Sequence, residues 1–275
     1  MVGHRDVRLG RSGALATGSA QRTRAPNIAR RSGIGQAVGV TTPRRTLVLA
    51  PMTIELRALV KLLGARRADV AGVTAYAGHR GDAEVTVARL GVGPARAAEV
   101  TERLLDRLEV DHVVVSGIAG GIDARATIGA VILPAEVLDV GTGKRYHPSP
   151  LGDIRLEGTV ATVDGLDTDP DHLARLVAGG VVAVEMEASG VGRICAARGL
   201  PWTVVRVVSD RPDDGDADAP VLDTLRPDGT TDTWAALRLM ATHPGRIPAL
   251  IRLGRGASLA STRAARTTLD ALAAR

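Results

Sequence analysis

The chain has 275 residues, enough for one large domain or for a domain with tails. Its 45% hydrophobic and 24% charged residues are ordinary for a globular protein, but it contains no Phe, two Trp and two Tyr, so its core must be aliphatic. The net charge of +5 comes from the first 45 residues, which hold nine arginines and one acid, and the basic balance therefore does not indicate a nucleic-acid-binding fold.

Residues 1–45 have little periodicity and are predicted to form a disordered basic tail, leaving residues 46–275 as the folded domain. The tail lacks the apolar core of a secretory signal, although an Arg-rich, acid-poor leader is also typical of transit peptides. The single cysteine, Cys195, excludes an intrachain disulfide and favours a cytoplasmic location. Because no apolar run approaches the ~20 residues of a membrane span, no stable membrane insertion is expected.

The first half of the domain alternates apolar runs with turn residues. Helices are expected from Thr53, as N-cap, to Leu63, and from Pro94 to about Leu108. Glu55 lies in the first turn of the first helix, where a Glu often only compensates the helix dipole. Strands are predicted at Thr46–Ala50, Val73–Ala77, Val85–Leu90 and His112–Ser116. The last of these strands runs into a glycine-rich turn at residues 117–121.

The glycine-rich turn is not the dinucleotide fingerprint G-x-G-x-x-G, and no acid follows at the required distance, so NAD binding is not expected. Beyond it, Pro134 indicates an edge or a bulge in the next strand. The expected elements are a strand over Ile128–Leu138, a polar loop over Gly141–Asp153, a strand over Leu156–Val163 and a helix over Asp171–Val177.

The stretch from Val181 to Asp210 reads as strand, helix, strand and acid, with Gly199 and Pro201 ending the helix. Three acids, Glu185, Glu187 and Asp210, lie at the ends of these elements. In open α/β sheets ligands bind outside the carboxyl ends of the strands, so these acids can meet in one pocket.

The remaining residues are predicted to be an acidic loop and two helical segments. Asp213–Asp218 lacks the downstream Glu of a calcium loop and is expected to be solvated. Helices are expected over Thr233–Thr242 and Ile247–Ala273, interrupted at Pro244, Pro248, Gly254 and Gly256. The six His show no metal-ligand spacing, so no metal site is expected, and Cys195 reads as a core residue rather than a nucleophile.

Four separated motifs carry a resemblance to a known family. VEMEAS at 184–189, VVSD at 207–210, GIAGGID at 117–123 and APMTIELRAL at 50–59 resemble the signatures of the purine nucleoside phosphorylase / methylthioadenosine–S-adenosylhomocysteine nucleosidase superfamily. The resemblance implies a three-layer α/β/α sandwich with a mixed central sheet, a homodimer, a purine nucleoside as ligand, and neither metal nor organic cofactor.

The resemblance also implies roles for the acids. Asp210 matches the acid that protonates the leaving base, and burial can hold such a carboxylic acid protonated near neutral pH. Glu55 matches the acid that orients or deprotonates the attacking water, and Arg206 matches a position near the nucleophile. Ser209 is expected to position Asp210. Glu187 is expected to bind the ribose hydroxyls, and Met186 is expected to contact the sugar face. The other matched residues are also expected to bind substrate: Glu185, Gly117, Ile118, Ala119 and Gly120.

The sequence therefore predicts cleavage of the N-glycosidic bond of a 5′-substituted adenosine. Water is favoured over phosphate as nucleophile, because Val115 and Ile118 stand where the phosphorylases place an Arg and a Ser. A competing prediction comes from residues 222–232 and 243–255, which resemble the C-terminal part of hopanoid-associated phosphorylases and imply adenosylhopane as substrate. Two further alternatives stay open, a non-catalytic nucleoside-binding protein and a nucleic-acid binder acting through the tail, although the tail has no aromatic residue to stack on bases.

Overall fold

A mixed β-sheet of eleven strands runs through the part of the chain that the computed structural model describes, residues 44–70, 72–165, 169–211, 228–230, 242 and 247–273. The strands are β1 (Arg45–Ala50), β2 (Arg66–Val70), β3 (Val73–Arg80), β4 (Ala83–Arg89), β5 (His112–Gly121), β6 (Val131–Ile132), β7 (Glu136–Asp139), β8 (Arg145–Tyr146), β9 (Thr159–Thr162), β10 (Val181–Glu185) and β11 (Trp202–Asp210). The described helices are α1 (Thr53–Leu63), α2 (Pro94–Leu105), α3 (Pro170–Ala178), α4 (Ala188–Arg198) and α5 (Ile247–Ala273).

Strand β5 is the centre of the sheet. The strand order is β2-β3-β4-β1-β5-β10-β9-β7-β8, and β11 pairs with both β5 and β6. β1 and β11 run parallel to β5, whereas β10 runs antiparallel to it, with Val184 opposite Gly120. β10 in turn runs parallel to β9, so the sheet contains two parallel sets of opposite direction.

Helices cover both faces of the sheet. Successive residues of β1 point to opposite faces, so that Leu47 and Leu49 belong to one buried cluster while Val48 and Ala50 belong to another. The first cluster includes side chains of α2 and α4, and the second includes side chains of α1 and α5. This arrangement confirms the predicted three-layer α/β/α sandwich with a mixed sheet.

Glycines allow α4 to pack closely against its neighbours. A Cβ on Gly190 would lie 2.1 Å from the carbonyl oxygen of Pro94 at the start of α2. A Cβ on Gly192 would lie 2.6 Å from the ring of Trp202, which is itself 4% exposed. Helix α4 is therefore held at a fixed depth between α2 and the first residue of β11.

Helix α5 is continuous from Ile247 to Ala273, so the predicted interruptions at Pro248, Gly254 and Gly256 are wrong. Pro248 lies in the first turn, where no backbone N–H is needed, and Gly256 allows the helix to approach the carbonyl oxygen of Ser209. Leu269 and Leu272 near its end are buried, and Arg80 donates to the Leu269 carbonyl oxygen at 3.0 Å. Within the described residues, none of the helices combines the length and the apolarity needed to cross a bilayer.

The glycine-rich segment at residues 117–121 is not a turn. It forms the second half of β5, where pairing with β11 and β10 satisfies its backbone. Other boundaries also differ. α1 is capped at Met52 rather than Thr53, and the second and third predicted strands are extended to Arg80 and back to Ala83, so that Gly81 and Asp82 form the turn between them. Pro134 separates β6 from β7 instead of lying inside one strand. The predictions for residues 1–43, the acidic loop at 213–218 and residues 231–241 lie outside the described residues.

Candidate active site

Glu55 links the first helix to the central strand. Its carboxylate accepts hydrogen bonds from the backbone N–H of Met52 at 2.6 Å and from that of Ile118 in β5 at 2.8 Å. The residue is 2% exposed, and this burial raises the pKa of its carboxyl to about 7, against the opposing effect of Arg206 and of these hydrogen bonds. Glu55 can therefore exchange a proton near neutral pH.

Arg206 of β11 is completely buried and contacts two carboxylates. Its Nη2 donates to Glu185 and, at 2.9 Å, to Oε2 of Glu187. Within the described part of the chain, Nε and Nη1 have no hydrogen-bond partner. A Cβ on Gly117 would lie 2.6 Å from this Nη1 and 2.3 Å from Oε1 of Glu55, so an unpaired donor and a carboxylate oxygen converge above Gly117.

Glu187 is the residue immediately before α4 and is 5% exposed. Its Oε1 accepts from the N–H of Gly93 at 3.3 Å, while Oε2 faces Arg206. Burial raises the pKa of this carboxyl, Arg206 opposes the rise, and the neighbouring Glu185 and Glu55 add to it. The glycine turn before α2, where Gly93 has a φ of 95°, thus brings a backbone donor to the site.

Glu185 is bound entirely by protein groups. One carboxylate oxygen accepts from the hydroxyl of Thr162, and the other accepts from the N–H groups of Glu187 at 3.0 Å and Ala188 at 2.8 Å as well as from Arg206. These contacts do not favour the predicted substrate-binding role of Glu185. They suit a positioning role, in which Glu185 fixes both Arg206 and the start of α4.

Asp210, the last residue of β11, pairs with Gly120 after a register shift that follows Val208. The hydroxyl of Ser209 donates to its Oδ1, and its Oδ2 lies 3.7 Å from the point that a Cβ on Gly120 would occupy. Gly117 and Gly120 thus mark the two ends of one short segment of β5. Glu55 and Arg206 border the first end, and Asp210 borders the second.

The strand directions explain how these acids come together. The prediction placed these acids at the carboxyl ends of strands. β10 runs antiparallel to β5 and ends just beyond Val184, which lies opposite Gly120, the residue that also pairs with Asp210 of β11. The carboxyl ends of β10 and β11 therefore both lie beside the last residues of β5, although the two strands reach them from opposite directions.

Some site residues were missed in the sequence. Thr162 at the end of β9 is 2% exposed, donates to Glu185 and accepts from the N–H of Ser189 at 3.0 Å. No local motif signals this role, because it depends on the pairing of β9 with β10. Met186, predicted to contact the sugar, lies half-buried between Glu185 and Glu187.

Two grooves formed by described residues lie away from this cluster. One, of about 850 Å³, lies between α1 and α5, and the other, of about 400 Å³, lies beside Tyr146 and Trp202. Neither is lined by Glu55, Glu187, Arg206 or Asp210. The two grooves are therefore no evidence for the roles predicted for the acids, and those roles are argued from the contacts among the acids and Arg206.

Comparison with known proteins gives the family. The family model described as "Phosphorylase superfamily" matches residues 45–155 and 153–241, well over half of the chain. The chain belongs to the phosphorylase superfamily. The predicted membership is thus confirmed, whereas the resemblance to hopanoid-associated phosphorylases stays a prediction.

Individual members of the superfamily resemble the chain over most of their length. The 5′-methylthioadenosine/S-adenosylhomocysteine nucleosidase of Bacillus pumilus is 31% identical over 180 residues, which are 54% of this chain and 78% of that protein. A Helicobacter pylori nucleosidase of the same name, solved as a mutant with 5′-methylthioadenosine in its active site, matches with a TM-score of 0.63 and 17% identity over 83% of this chain and 97% of its own. The futalosine hydrolase of Helicobacter pylori matches with a TM-score of 0.61 and 16% identity, over the same shares of the two chains. At these identities the two structures establish the fold alone.

Proposed function

We propose that this protein hydrolyses the N-glycosidic bond of a 5′-substituted adenosine, releasing adenine. The observation that carries the proposal is that Glu55 and Arg206, which also binds Glu187, converge above Gly117 of β5, while Asp210 lies beside Gly120 of the same strand. The coarser prediction, an enzyme of the N-glycosyl hydrolase class, is confirmed by the relatives, which are named nucleosidases.

Glu55 and Arg206 are suited to hold the attacking water. Oε1 of Glu55 can accept a proton from the water, while Nη1 of Arg206 can donate a hydrogen bond to its oxygen. A base whose pKa is about 7 is ionised in a useful fraction at neutral pH and still binds the proton it receives. The backbone donors Met52 and Ile118 keep the Glu55 carboxylate fixed in this position.

Asp210 takes the role of general acid. As the bond between C1′ and N9 breaks, Asp210 gives its proton to N7 of the purine, so that the base leaves neutral. The water oxygen bonds to C1′, and Glu55 receives the proton that the water loses. The hydroxyl of Ser209, which contacts Oδ1, orients the Asp210 carboxyl toward the base.

Glu187 takes the ribose hydroxyls, with Met186 against the sugar. In its ionised form this carboxyl group, whose pKa burial raises, also stabilises the positive charge that develops on the ring as the base departs. The contact between Glu187 and Gly93 places this carboxylate above the turn that precedes α2. Binding of ribose and stabilisation of charge then come from the same group.

Charge favours water over phosphate as the nucleophile. The guanidinium of Arg206 is surrounded by Glu55, Glu185 and Glu187, and a phosphate dianion placed there would face three carboxyl groups with one cation. The side chain of Val115 lies in the apolar core and that of Ile118 is apolar, so neither adds a donor to an anion.

The hopanoid-associated alternative stays a prediction, and one contact shows where the segment that carries this resemblance packs. Gly229, inside the segment that carries this resemblance, accepts from the N–H of Thr53 at 2.9 Å, two residues before Glu55. A Cβ on Gly229 would lie 2.2 Å from the carbonyl oxygen of Pro51. The described part of this segment therefore packs against the junction that presents Glu55.

The test is release of the free base measured by chromatography: adenine from methylthioadenosine, S-adenosylhomocysteine and an apolar 5′-alkyl adenosine, and hypoxanthine from inosine. Each substrate is incubated with and without phosphate. Release that is independent of phosphate and yields free ribose products supports the proposal. A requirement for phosphate, with ribose 1-phosphate products, would establish the phosphorylase instead, and tight nucleoside binding without base release would indicate a non-catalytic binding protein.

A further inference from the structure

The groove of about 850 Å³ between α1 and α5 is separate from the acid cluster and has its own chemistry. Its size lies in the range of ~300–1,000 Å³ that is usual for small-molecule sites. Three cationic side chains, Arg57, Lys61 and Arg89, line it together with hydroxyl groups, and no acid is found among its described lining residues. The hydroxyl residues that face the groove include Thr53, Ser258 and Thr262.

The cations of this groove retain donors for a ligand. Arg57 and Lys61 lie four residues apart on one face of α1 and are exposed, and the described residues provide neither with an ion-pair partner. Arg89 is more constrained, because Nη1 donates to the hydroxyl of Thr53 at 3.3 Å and Nη2 lies 3.5 Å from a carboxylate oxygen of Asp228. Arg89 is thus held in place at the inner end while the two cations of α1 stay available.

The facing helix carries further positive charge, although none of its arginines is among the residues that line the groove. Between Ile247 and Leu269, α5 contains four arginines and no acid: Arg252, Arg255, Arg263 and Arg266. One acid, Asp228, lies beside the groove and offsets part of the charge of Arg89. Among the described residues that line the groove, three are cationic and none is acidic, a balance that favours anions.

We infer that this groove binds a phosphate group, carried either by a small soluble phosphate or by a lipid headgroup. Guanidinium and ammonium donors together recognise phosphate oxygens by charge-assisted hydrogen bonds. Leu259 of α5 is 74% exposed and Leu62 of α1 is 37% exposed, so the helices that line the groove also present apolar side chains to solvent. The site is independent of the proposed hydrolysis, because its cations make none of the contacts of Glu55, Glu187 or Arg206.

The test compares the wild type with the double variant Arg57→Gln/Lys61→Gln. The matched control is Arg107→Gln/Arg193→Gln, which removes the same charge from exposed positions on the side of the sheet that carries α2 and α4. Calorimetric titration with inorganic phosphate forms one arm. Co-sedimentation with phosphatidylcholine vesicles, with and without phosphatidic acid, forms the other. The arginines of residues 1–45 are present in every protein, so their contribution is common to all comparisons.

Binding that weakens about tenfold or more in the groove variant, but not in the control, supports the site. Loss in the phosphate arm identifies a soluble phosphate as the ligand, and loss confined to the phosphatidic-acid vesicles identifies a headgroup. Equal binding by the groove variant and the control in both arms would overturn the inference. Absence of binding in both arms would overturn it as well, and since adenine release is measured separately, neither result affects the proposed hydrolysis.

Discussion

The guanidinium of Arg206 balances buried charge that would otherwise oppose folding. It donates to Glu185 and Glu187, and all three side chains are almost inaccessible to solvent. Removing the cation from such a group leaves buried carboxylates without a cationic partner, which costs about 3–5 kcal/mol. We therefore expect Arg206→Met to lower the free energy of unfolding by about this amount, measured by urea denaturation at pH 7.5.

An exposed ion pair provides the comparison. Arg198 contacts Asp106 at 2.6 Å on the surface, and Arg198→Met is expected to cost less than about 1 kcal/mol. Similar losses in the two variants would show that the burial of Arg206 has no energetic consequence.

Glu55 determines the acid limb of the activity profile. A general base must be ionised, and since burial raises the pKa of Glu55 to about 7, adenine release should fall as the pH decreases below about 7. Glu55→Gln should lose about 10²- to 10⁴-fold in kcat and lose this limb. The exposed Glu84→Gln should keep both the rate and the limb. An unchanged pH profile in the Glu55 variant would assign the base elsewhere.

Asp210 is expected to act in the chemical step rather than in binding. Asp210→Asn keeps the shape of the side chain and its contact with Ser209 but cannot protonate N7. Adenine release should decrease about 10²- to 10⁴-fold while the Kd for a substrate analogue changes little. Asp153→Asn, at an exposed position, serves as the control. Undiminished turnover by the Asp210 variant would rule out the assigned acid.

At the level of the elements, the depth of α4 depends on its glycines. A Cβ at Gly190 would overlap the carbonyl oxygen of Pro94, so Gly190→Ala should destabilise the fold by about 1–3 kcal/mol. Gly254→Ala in α5 provides the opposite control, because no atom lies within 4 Å and alanine favours a helix by about 1 kcal/mol. Thermal unfolding should move the two midpoints in opposite directions, and a stabilised Gly190 variant would refute the packing described for α4.

The sequence allows prediction of those elements whose pattern is determined locally. The strand–helix–strand unit from Val181 to Asp210 is found nearly as expected, because apolar runs and the glycine at 199 delimit it. β2 was missed because Arg66–Val70 is polar, and residues 117–121 were misread because glycine has low strand propensity. In both cases pairing with neighbouring strands, rather than local preference, determines the structure.

In the candidate site too, residues in local motifs could be predicted, whereas contacts that depend on strand pairing could not. Glu55, Glu187 and Arg206 could be selected from motifs, and the structure brings their side chains together. The role of Thr162 could not be found, since its hydroxyl meets Glu185 only through the pairing of β9 with β10. The hydrogen bonds from backbone N–H groups to Glu185 could not be predicted either, because they depend on how the chain turns into α4.

For the whole molecule, buried titratable groups predict how stability varies with pH. Folding raises the pKa of Glu55 from its usual value near 4.5 to about 7 and also raises the pKa of Glu187. The contribution of these two groups to the free energy of unfolding is therefore complete below pH 4.5 and is lost as the pH rises through their pKa values in the folded state. Burial lowers the pKa of His112 from 6.5 to about 4, so its contribution is present above 6.5 and is lost as the pH falls.

Between about pH 4.5 and pH 6.5 the two carboxyl groups lose more stability than the single imidazole gains, so these trends predict a maximum of stability near pH 4.5. The melting temperature, measured by calorimetry from pH 4 to 9, should decline from about pH 5 to about pH 8, above which both carboxyl groups are ionised. Glu187→Gln should make this decline shallower, since one of the two groups no longer ionises. A melting temperature that rises steadily from pH 6 to pH 9 would contradict the assignment of these carboxyl groups as buried.

The position of α5 in the chain has a consequence for synthesis. This helix covers side chains of β5 and β11, including Val114, Val205 and Val207, but the ribosome makes it after both strands. During translation these valines remain uncovered until α5 emerges, and a nascent chain with exposed apolar strands is prone to aggregation and to capture by chaperones. The strands that carry Arg206 and Asp210 therefore reach their final packing among the last events of folding.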